Sequence, residues 1–389
     1  MSETYDVIII GGGIHGASLA FHLSMRGFKN LVLEKNFLAS GATGKSSGLV
    51  RMHYDSKLES QLAWESFQYF LNWKDMVGGE CGFTRTGFLE LVGPEYEKQL
   101  VENVAMQQEI GIPSIIVNAD DVKRIAPTFY TQDFNLAAFE PESGYADPTT
   151  AASSLMDAAR KKSTTFKQGV QVMGIHVSSG RVVGVETNQG PMSGGIVVNA
   201  AGAWAASVAN MVGLTIPVDT WRHDTMNIRR PIEMGPSHPT VIDLVKPMYF
   251  RPETGSLTLL GLEDGNPIGT DADGDNDLPL PGFVDRASER ICERIPVMEK
   301  GSLHSTTVGF DGITPDQAPI LGQVGPEGFY LDCGFSGTGF KIAPAVGACM
   351  AELILDGSSR KVDVSPFRFE RFEEGKLFKG EHPYADLWR

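Results

Sequence analysis

The chain has 389 residues, 42% of them hydrophobic, enough to bury a large core across two closely packed domains. Its net charge of −15 argues against a nucleic-acid or anionic-membrane surface, since both need clustered Lys and Arg. The four cysteines, Cys81, Cys292, Cys333 and Cys349, lack metal-ligand spacing, so they read as free thiols of a reducing compartment and no metal site is expected.

No secretory signal is visible near residue 1, and no run of about 18 apolar residues stands elsewhere. The expected location is the cytoplasm, with an organelle matrix left open.

The chain opens on a dinucleotide signature. Tyr5 to Ile10 is a short apolar run that leads straight into Gly11-x-Gly13-x-x-Gly16 and a helical pattern over Ile14 to Arg26. Glycine at 11 permits the tight turn, at 13 it lets a pyrophosphate reach the backbone, and at 16 it lets the helix close on the strand. The helix N-terminus turns free N–H groups and the positive end of its dipole toward that phosphate. A second strand, Leu31-Val32-Leu33-Glu34, ends in an acid about 20 residues downstream, where this unit carries its ribose-binding carboxylate.

The loop Ala39 to Arg51, ASGATGKSSGLVR, is dense in Gly, Ser and Thr and suits wrapping a phosphate or a ring edge. A helix is predicted near Leu62 to Met76, with Ala63, Phe67, Phe70 and Leu71 as its core face. Gly87 to Val92 alternates like a strand, and Glu95 to Ile110 reads as an exposed helix. Asp147-Pro148 opens another helix as N-cap and first-turn proline, with Ala152, Leu155, Met156 and Ala159 inward. Strands follow at Val170 to Val177 and Arg181 to Glu186, hinged at Ser179-Gly180. A further strand, Gly195 to Val198, ends in NAAGAW, whose small residues suit close approach to a ligand.

From Ile216 to His304 strand-like runs alternate with turns, which predicts an inserted antiparallel sheet with one helix, Phe283 to Ile295, packed on it. The acidic run DADGDND, Asp271 to Asp277, has Gly282 where a calcium loop closes with glutamate, so it reads as a solvated loop. Phe329 to Asp332 is a short strand before a second glycine turn, Gly334 to Gly339. An apolar helix, Phe340 to Leu355, follows and points another N-terminus at something negative.

Together these blocks resemble the FAD-dependent amine oxidoreductases of the D-amino acid oxidase superfamily, with the sarcosine oxidase and glycine oxidase branches most similar. GGGIHG with Glu34, GATGKSSGLVR, NAAGAW, TPDQAPILG and GFSGTGFKIAPAVG carry the resemblance from end to end. It implies a mixed α/β fold: a doubly wound, Rossmann-like FAD-binding domain and an inserted antiparallel-sheet substrate domain. The expected division is 1–80, 140–215 and 305–389 for the first, and 81–139 and 216–304 for the second.

The resemblance also implies roles. Gly11, Gly13 and Gly16 take the pyrophosphate and Glu34 the ribose, with Ile14, His15 and Lys35 beside them. Gly41, Thr43, Ser46, Ser47, Gly48 and Leu49 line the flavin side. Val172, Ala201, Gly202 and Trp204 approach the adenine end, and Gly312, Gly337, Thr338, Gly339, Phe340 and Lys341 complete the cofactor site. Arg51 and Lys341 match the cations that hold a substrate carboxylate, while Tyr54 and Tyr249 shape the pocket. His53 and His223 stand as further substrate-contact candidates.

The departures are equally definite. Gly309 replaces the cysteine that links flavin covalently in monomeric sarcosine oxidases, and TGKSSG lacks the histidine of dimethylglycine-type relatives, so non-covalent FAD is expected. FDGITPD carries no arginine of the glycine oxidase kind. The strand Ser256 to Glu263 lacks the oxygen-activating lysine, leaving Lys246 as its substitute.

The expected reaction is oxidation of a secondary or N-alkyl, sarcosine-like amino acid to an imine that hydrolyses, with oxygen or another acceptor taking the electrons. An acceptor-linked proline- or glycine-type dehydrogenase, alone or as one subunit of a complex or oligomer, and a non-catalytic FAD-stabilised assembly protein remain as alternatives.

Overall fold

The first apolar run becomes a central parallel strand. The computed structural model describes residues 4–235, 237–274 and 278–384. Thr4–Ile10 lies between Asn30–Glu34 and Met192–Asn199, parallel to both, and its inner residues Val7 to Ile9 are fully buried. Strands buried on both faces read as continuous apolar runs, as VIII does here. The complete sheet has eight strands, with Thr164–Gln168 at one edge and the hairpin Val172–Ser178 and Arg181–Thr187 at the other. Phe329–Cys333 pairs parallel with the far end of Met192–Asn199, so the two ends of the chain build one sheet.

Helices Ile14–Met25, Lys57–Leu71, Pro148–Arg160 and Gly339–Asp356 cover one face. Asp147 caps the third, its carboxylate accepting from the Thr150 N–H at 2.6 Å. Small residues let the first and last helices meet closely. Ser18 Oγ donates to the Ala343 carbonyl at 2.8 Å, and a Cβ on Gly347 would stand 2.2 Å from Ser18 Oγ. Pro344 is tolerated early in its helix, where the Ser66 hydroxyl accepts from the Ala345 N–H at 3.0 Å.

The second sheet also has eight strands, with Ser302–Ile313 at one edge and Ile115–Asn118 at the other. It is antiparallel except where Phe88–Leu91 runs parallel to Thr240–Asp243. Alternation sorts its faces: Leu89, Leu91, Val241, Met248, Phe250, Leu260 and Leu262 pack against helix Phe283–Arg294. The opposite face presents Glu90, Ile242, Tyr249 and Gly261, which the register sets in one row across four strands. Ser302–Ile313 follows Asp219–Arg229 along its whole length, so residues 305–313 belong to this sheet. The predicted helix over Leu62 to Met76 begins earlier and splits at Asn72 into Lys57–Leu71 and Trp73–Met76.

Among the described residues no helix is long and apolar enough to cross a membrane. Residues 275–277 of the acidic run lie outside the described residues. Cys81, Cys292, Cys333 and Cys349 are all free thiols.

Candidate active site

A cavity of about 460 Å³ runs between the two sheets, from Glu34, Val170 and Val172 past Gly11 and Gly13 to Tyr249 and Phe340. Its glycine turn is shaped by backbone contact. Gly11 has φ of +116°, and a Cβ there would stand 2.4 Å from the Ala200 carbonyl oxygen. A Cβ on Gly16 would stand 2.1 Å from the Gly11 oxygen, so this residue serves helix packing and lies off the cavity wall. Glu34 is held from three sides: Gly12 N–H and Asn36 N–H donate at 2.8 Å each and Ser40 Oγ at 3.3 Å. Thr43 Oγ1 accepts from the Ile14 N–H at 2.9 Å and ties the serine-rich loop to the first helix.

Most of the expected cofactor residues meet here. Ile14, His15, Lys35, Gly41, Thr43, Ser46, Ser47, Ala201, Gly202, Trp204, Gly337, Gly339 and Phe340 line the cavity, as do His223 and Gly309. Gly48, Gly312 and Thr338 do not. The first two pack against the carbonyls of Ala146 and Gly202, and the Thr338 hydroxyl turns back to Phe335 O at 2.8 Å. At the Lys35 end of the cavity Asp273 accepts from Lys35 Nζ at 2.7 Å and Trp204 Nε1 at 2.8 Å, and Lys35 lies 3.8 Å above the Trp204 ring.

A second, small cavity of about 20 Å³ opens beside Tyr249 and Phe340, with Ser46, Ser47 and Gly337 shared between the two. Arg51, Lys341, Leu49 and Ile242 complete its wall. Arg51 is 3% and Lys341 7% exposed, yet among the described residues neither has a carboxylate within 4 Å. The Arg51 Nε has no hydrogen-bond partner, and the guanidinium lies 4.4 Å over the Tyr54 ring. Tyr54 therefore lies behind the cations as their aromatic floor, 5.6 Å from Lys341 Nζ.

Burial opposes the charge of Arg51, but Tyr54, Glu90, Glu140 and Glu263 outweigh it and keep the guanidinium firmly protonated. Burial and then the charge of Arg51 push the Lys341 ammonium well below the ordinary lysine range. Burial raises Glu90 to about 8 despite Arg51, and raises Glu263 well above the usual carboxylate range with Glu90 adding to it. A fixed guanidinium and an amine that an arriving anion would hold protonated, beside carboxyls held toward their neutral form, make a receptor for an anionic group.

Two sequence expectations change, and a third holds. Lys246 cannot serve the flavin, because it pairs with Glu293 at 2.7 Å and Asp133 at 3.5 Å. His53 lies off both cavities, bridging Gln107 at 3.1 Å and the Tyr384 hydroxyl at 2.8 Å. His223 does reach the cavity, where burial lowers it to about 4 and keeps it neutral.

Other residues of the site were missed. Asp311 accepts from the Gly337 N–H at 2.6 Å and the Gly312 N–H at 2.8 Å, joining the second glycine turn to the roof. Glu140 accepts from the Met52 N–H at 2.9 Å and holds the Arg51 segment. Arg251 donates to the Ser47 carbonyl and stacks 4.3 Å from Tyr145. Asp332 closes the strand Phe329–Cys333 on the cavity wall. Its signal was present, since FYLD ends in an acid just as LVLE does.

A glycine-cradled dinucleotide cavity roofed by a second sheet is the layout of a dinucleotide-dependent redox enzyme. Residues 6–353 match the family described as DAO, FAD dependent oxidoreductase, and the chain belongs to that family. It is 29% identical to the mitochondrial sarcosine dehydrogenase of Homo sapiens, over 98% of this chain and 43% of that protein. It is 25% identical to sarcosine oxidase subunit beta of Rhodobacter capsulatus, over 96% of this chain and 90% of that protein. The L-proline dehydrogenase structure from P. horikoshii superposes with a TM-score of 0.90 at 27% identity, covering 97% of this chain and 100% of that one. The chain thus spans less than half the length of the human relative.

FAD is the cofactor of this family, and the cavity fits it. Gly11 and Gly13 bring bare backbone to the cavity wall at the start of the first helix, where a pyrophosphate would sit, and Glu34 stands at one end.

Proposed function

We propose that the chain oxidises a small secondary or N-alkyl amino acid at the carbon next to nitrogen, giving an imine that water hydrolyses. One observation carries this reading: Arg51 and Lys341, buried and without a carboxylate partner among the described residues, line one small pocket that shares Ser46, Ser47, Tyr249, Gly337 and Phe340 with the large cavity. Arg51 supplies a bidentate fork for the substrate carboxylate and Lys341 a second charge, which together set the position of the reacting carbon. Gly11 and Gly13 would admit the pyrophosphate of FAD, Glu34 would take the ribose, and Ser46, Ser47 and Gly337 would line the ring. Gly309 offers no side chain for a covalent link, which supports non-covalent binding. When bound, FAD supplies the acceptor for the hydride lost by the substrate.

The chain's own residues do the rest. An amine can release that hydride only from its neutral form. Glu90, raised by burial to about 8 and set in the Tyr249 row, takes the ammonium proton only in its ionised form, so this step speeds up as pH approaches 8. Tyr249, His223 and Phe340 enclose the space and exclude water.

Secondary or cyclic amino acids should bleach the flavin without oxygen, whereas the matching amines lacking a carboxylate should not. Failure of every amino acid in such a panel would reject the reading in favour of an assembly role. Lys246, tied to Glu293 and Asp133, favours a second reading in which a protein or quinone acceptor takes the electrons. Mixing the reduced protein with oxygen separates the two, because fast reoxidation excludes an obligate dehydrogenase.

A further inference from the structure

The wall of the cofactor cavity holds a buried acid and a buried histidine whose hydrogen bonding is incomplete. His15, in the turn GGGIHG, stacks on Phe335 at 3.5 Å, and its Nε2 lies 3.0 Å from the Gly339 carbonyl oxygen. A carbonyl only accepts, so Nε2 carries the proton and Nδ1 of the neutral ring presents a lone pair. That lone pair faces Asp332 Oδ1 at 3.6 Å. Asp332 is 1% exposed, and neither carboxyl oxygen nor His15 Nδ1 has a hydrogen-bond partner. Two acceptors facing each other in a dry wall require a proton between them.

The proton can sit on the ring or on the carboxyl. Burial lowers His15 to about 3 and raises Asp332 to about 7, so the carboxyl holds it. An ionised Asp332 would also add a negative charge to the wall of a cavity that must receive two phosphates. We propose that Asp332 is a cofactor-binding residue that works as a neutral acid, keeping its proton on the His15 side so that the dinucleotide meets no anion there.

Among the described residues no cation pairs with Asp332. His15 faces Asp332 from the first helix, and Tyr330 and Cys333 are the titratable groups on its own strand. The strand Ile320–Gln323 sets Leu321 opposite it, and Met192–Asn199 sets Asn199 beside Leu331. Lys341 lies in the closing helix but fronts the small cavity, and Arg371 acts on Cys333. Asp311 and Glu34 reach the same large cavity from other elements and are both hydrogen-bonded by backbone N–H groups.

The test follows FAD itself and needs no substrate, so it stands or falls apart from the amino-acid reading. Holoprotein diluted into buffers from pH 6 to 9, with released FAD read by fluorescence, gives the dissociation constant. The expected result is weakening above about pH 7 that approaches tenfold per pH unit, the limit for one linked proton. Calorimetric titration near pH 8 in two buffers of different ionisation heat should show uptake of about one proton. Asp332→Asn keeps the shape without the charge and should hold the low-pH affinity across the range. A flat or tightening profile in the parent protein, or binding without proton uptake, would overturn the proposal whether or not the variant folds. Uniformly weakened binding by a folded Asp332→Asn protein would overturn it equally.

Discussion

Tyr249 and Gly261 sit opposite each other on neighbouring antiparallel strands, and a Cβ added to Gly261 would stand 2.2 Å from the tyrosine hydroxyl oxygen. The tyrosine ring lies flat across its neighbour because that neighbour has no side chain. Gly261→Ala should therefore drive Tyr249 out of place while leaving the core on the opposite face intact. The expected outcome is a shift of the flavin spectrum and a drop in turnover of about tenfold or more. Tyr249→Phe, which keeps the ring and removes the hydroxyl, should disturb the spectrum less. Equal spectra for parent and Gly261→Ala would mean that the ring does not define the pocket.

The cation pair can be tested one member at a time. Losing a hydrogen bond to a charged group costs about 1.5–3 kcal/mol, or roughly 10- to 150-fold in affinity. Arg51→Ala and Lys341→Ala should each weaken substrate binding by about that factor. Arg51→Lys should recover only part of the loss, because an ammonium lacks the planar fork. Rapid anaerobic bleaching at several substrate concentrations reads the affinity directly, and unchanged values would remove the clamp.

The same pair should impose a pH dependence of definite sign. Lys341 binds an anion only while protonated, and burial places its loss of proton well below the ordinary lysine range. Glu90 becomes an anion as pH passes about 8 and then repels a carboxylate nearby. Both effects act in one direction: binding of an unreactive carboxylate such as acetate should be strongest at low pH and weaken as pH rises through about 8. Glu90→Gln combined with Lys341→Arg should flatten the curve across that range. A carboxylate that bound more tightly at high pH would contradict both assignments.

The readable parts of the sequence are those where local geometry restricts residue choice. Gly11, Gly13 and Glu34 sit within one strand–turn–helix unit, and the spacing alone relates them. The roof is different. Glu90, Ile242, Tyr249 and Gly261 come from four strands whose adjacency depends on register over more than one hundred residues, so Glu90 in FLELV gave no sign of its neighbours. Lys246 stood in for the lysine missing from the strand Ser256 to Glu263, yet its partners Asp133 and Glu293 are far away in sequence. His53, next to Arg51 in sequence terms, is occupied by Tyr384 from the other end of the chain. Burial and long-range pairing select which polar residues become functional, and period and spacing do not carry that information.

At the Lys35 end of the cavity the roof sends a loop down to the parallel-sheet layer. Asp273 joins Lys35 at 2.7 Å and Trp204 at 2.8 Å, and all three residues line the cavity. The Lys35 hydrogen bond is the leading reason that Asp273 lies below its usual range, so the contact is an ion pair at neutral pH. Its side chain is 62% exposed, and exposed pairs contribute about 0–1 kcal/mol, so the effect should be small but kinetic. Asp273→Ala should speed release of FAD about two- to fivefold by loosening the cover over the cavity mouth. Because the pair is exposed, added salt should speed release from the parent protein toward the variant's rate and change the variant little. Release followed by FAD fluorescence at low and high salt checks both statements. A variant as slow as the parent at low salt would show that the loop rests on the cavity mouth without holding it.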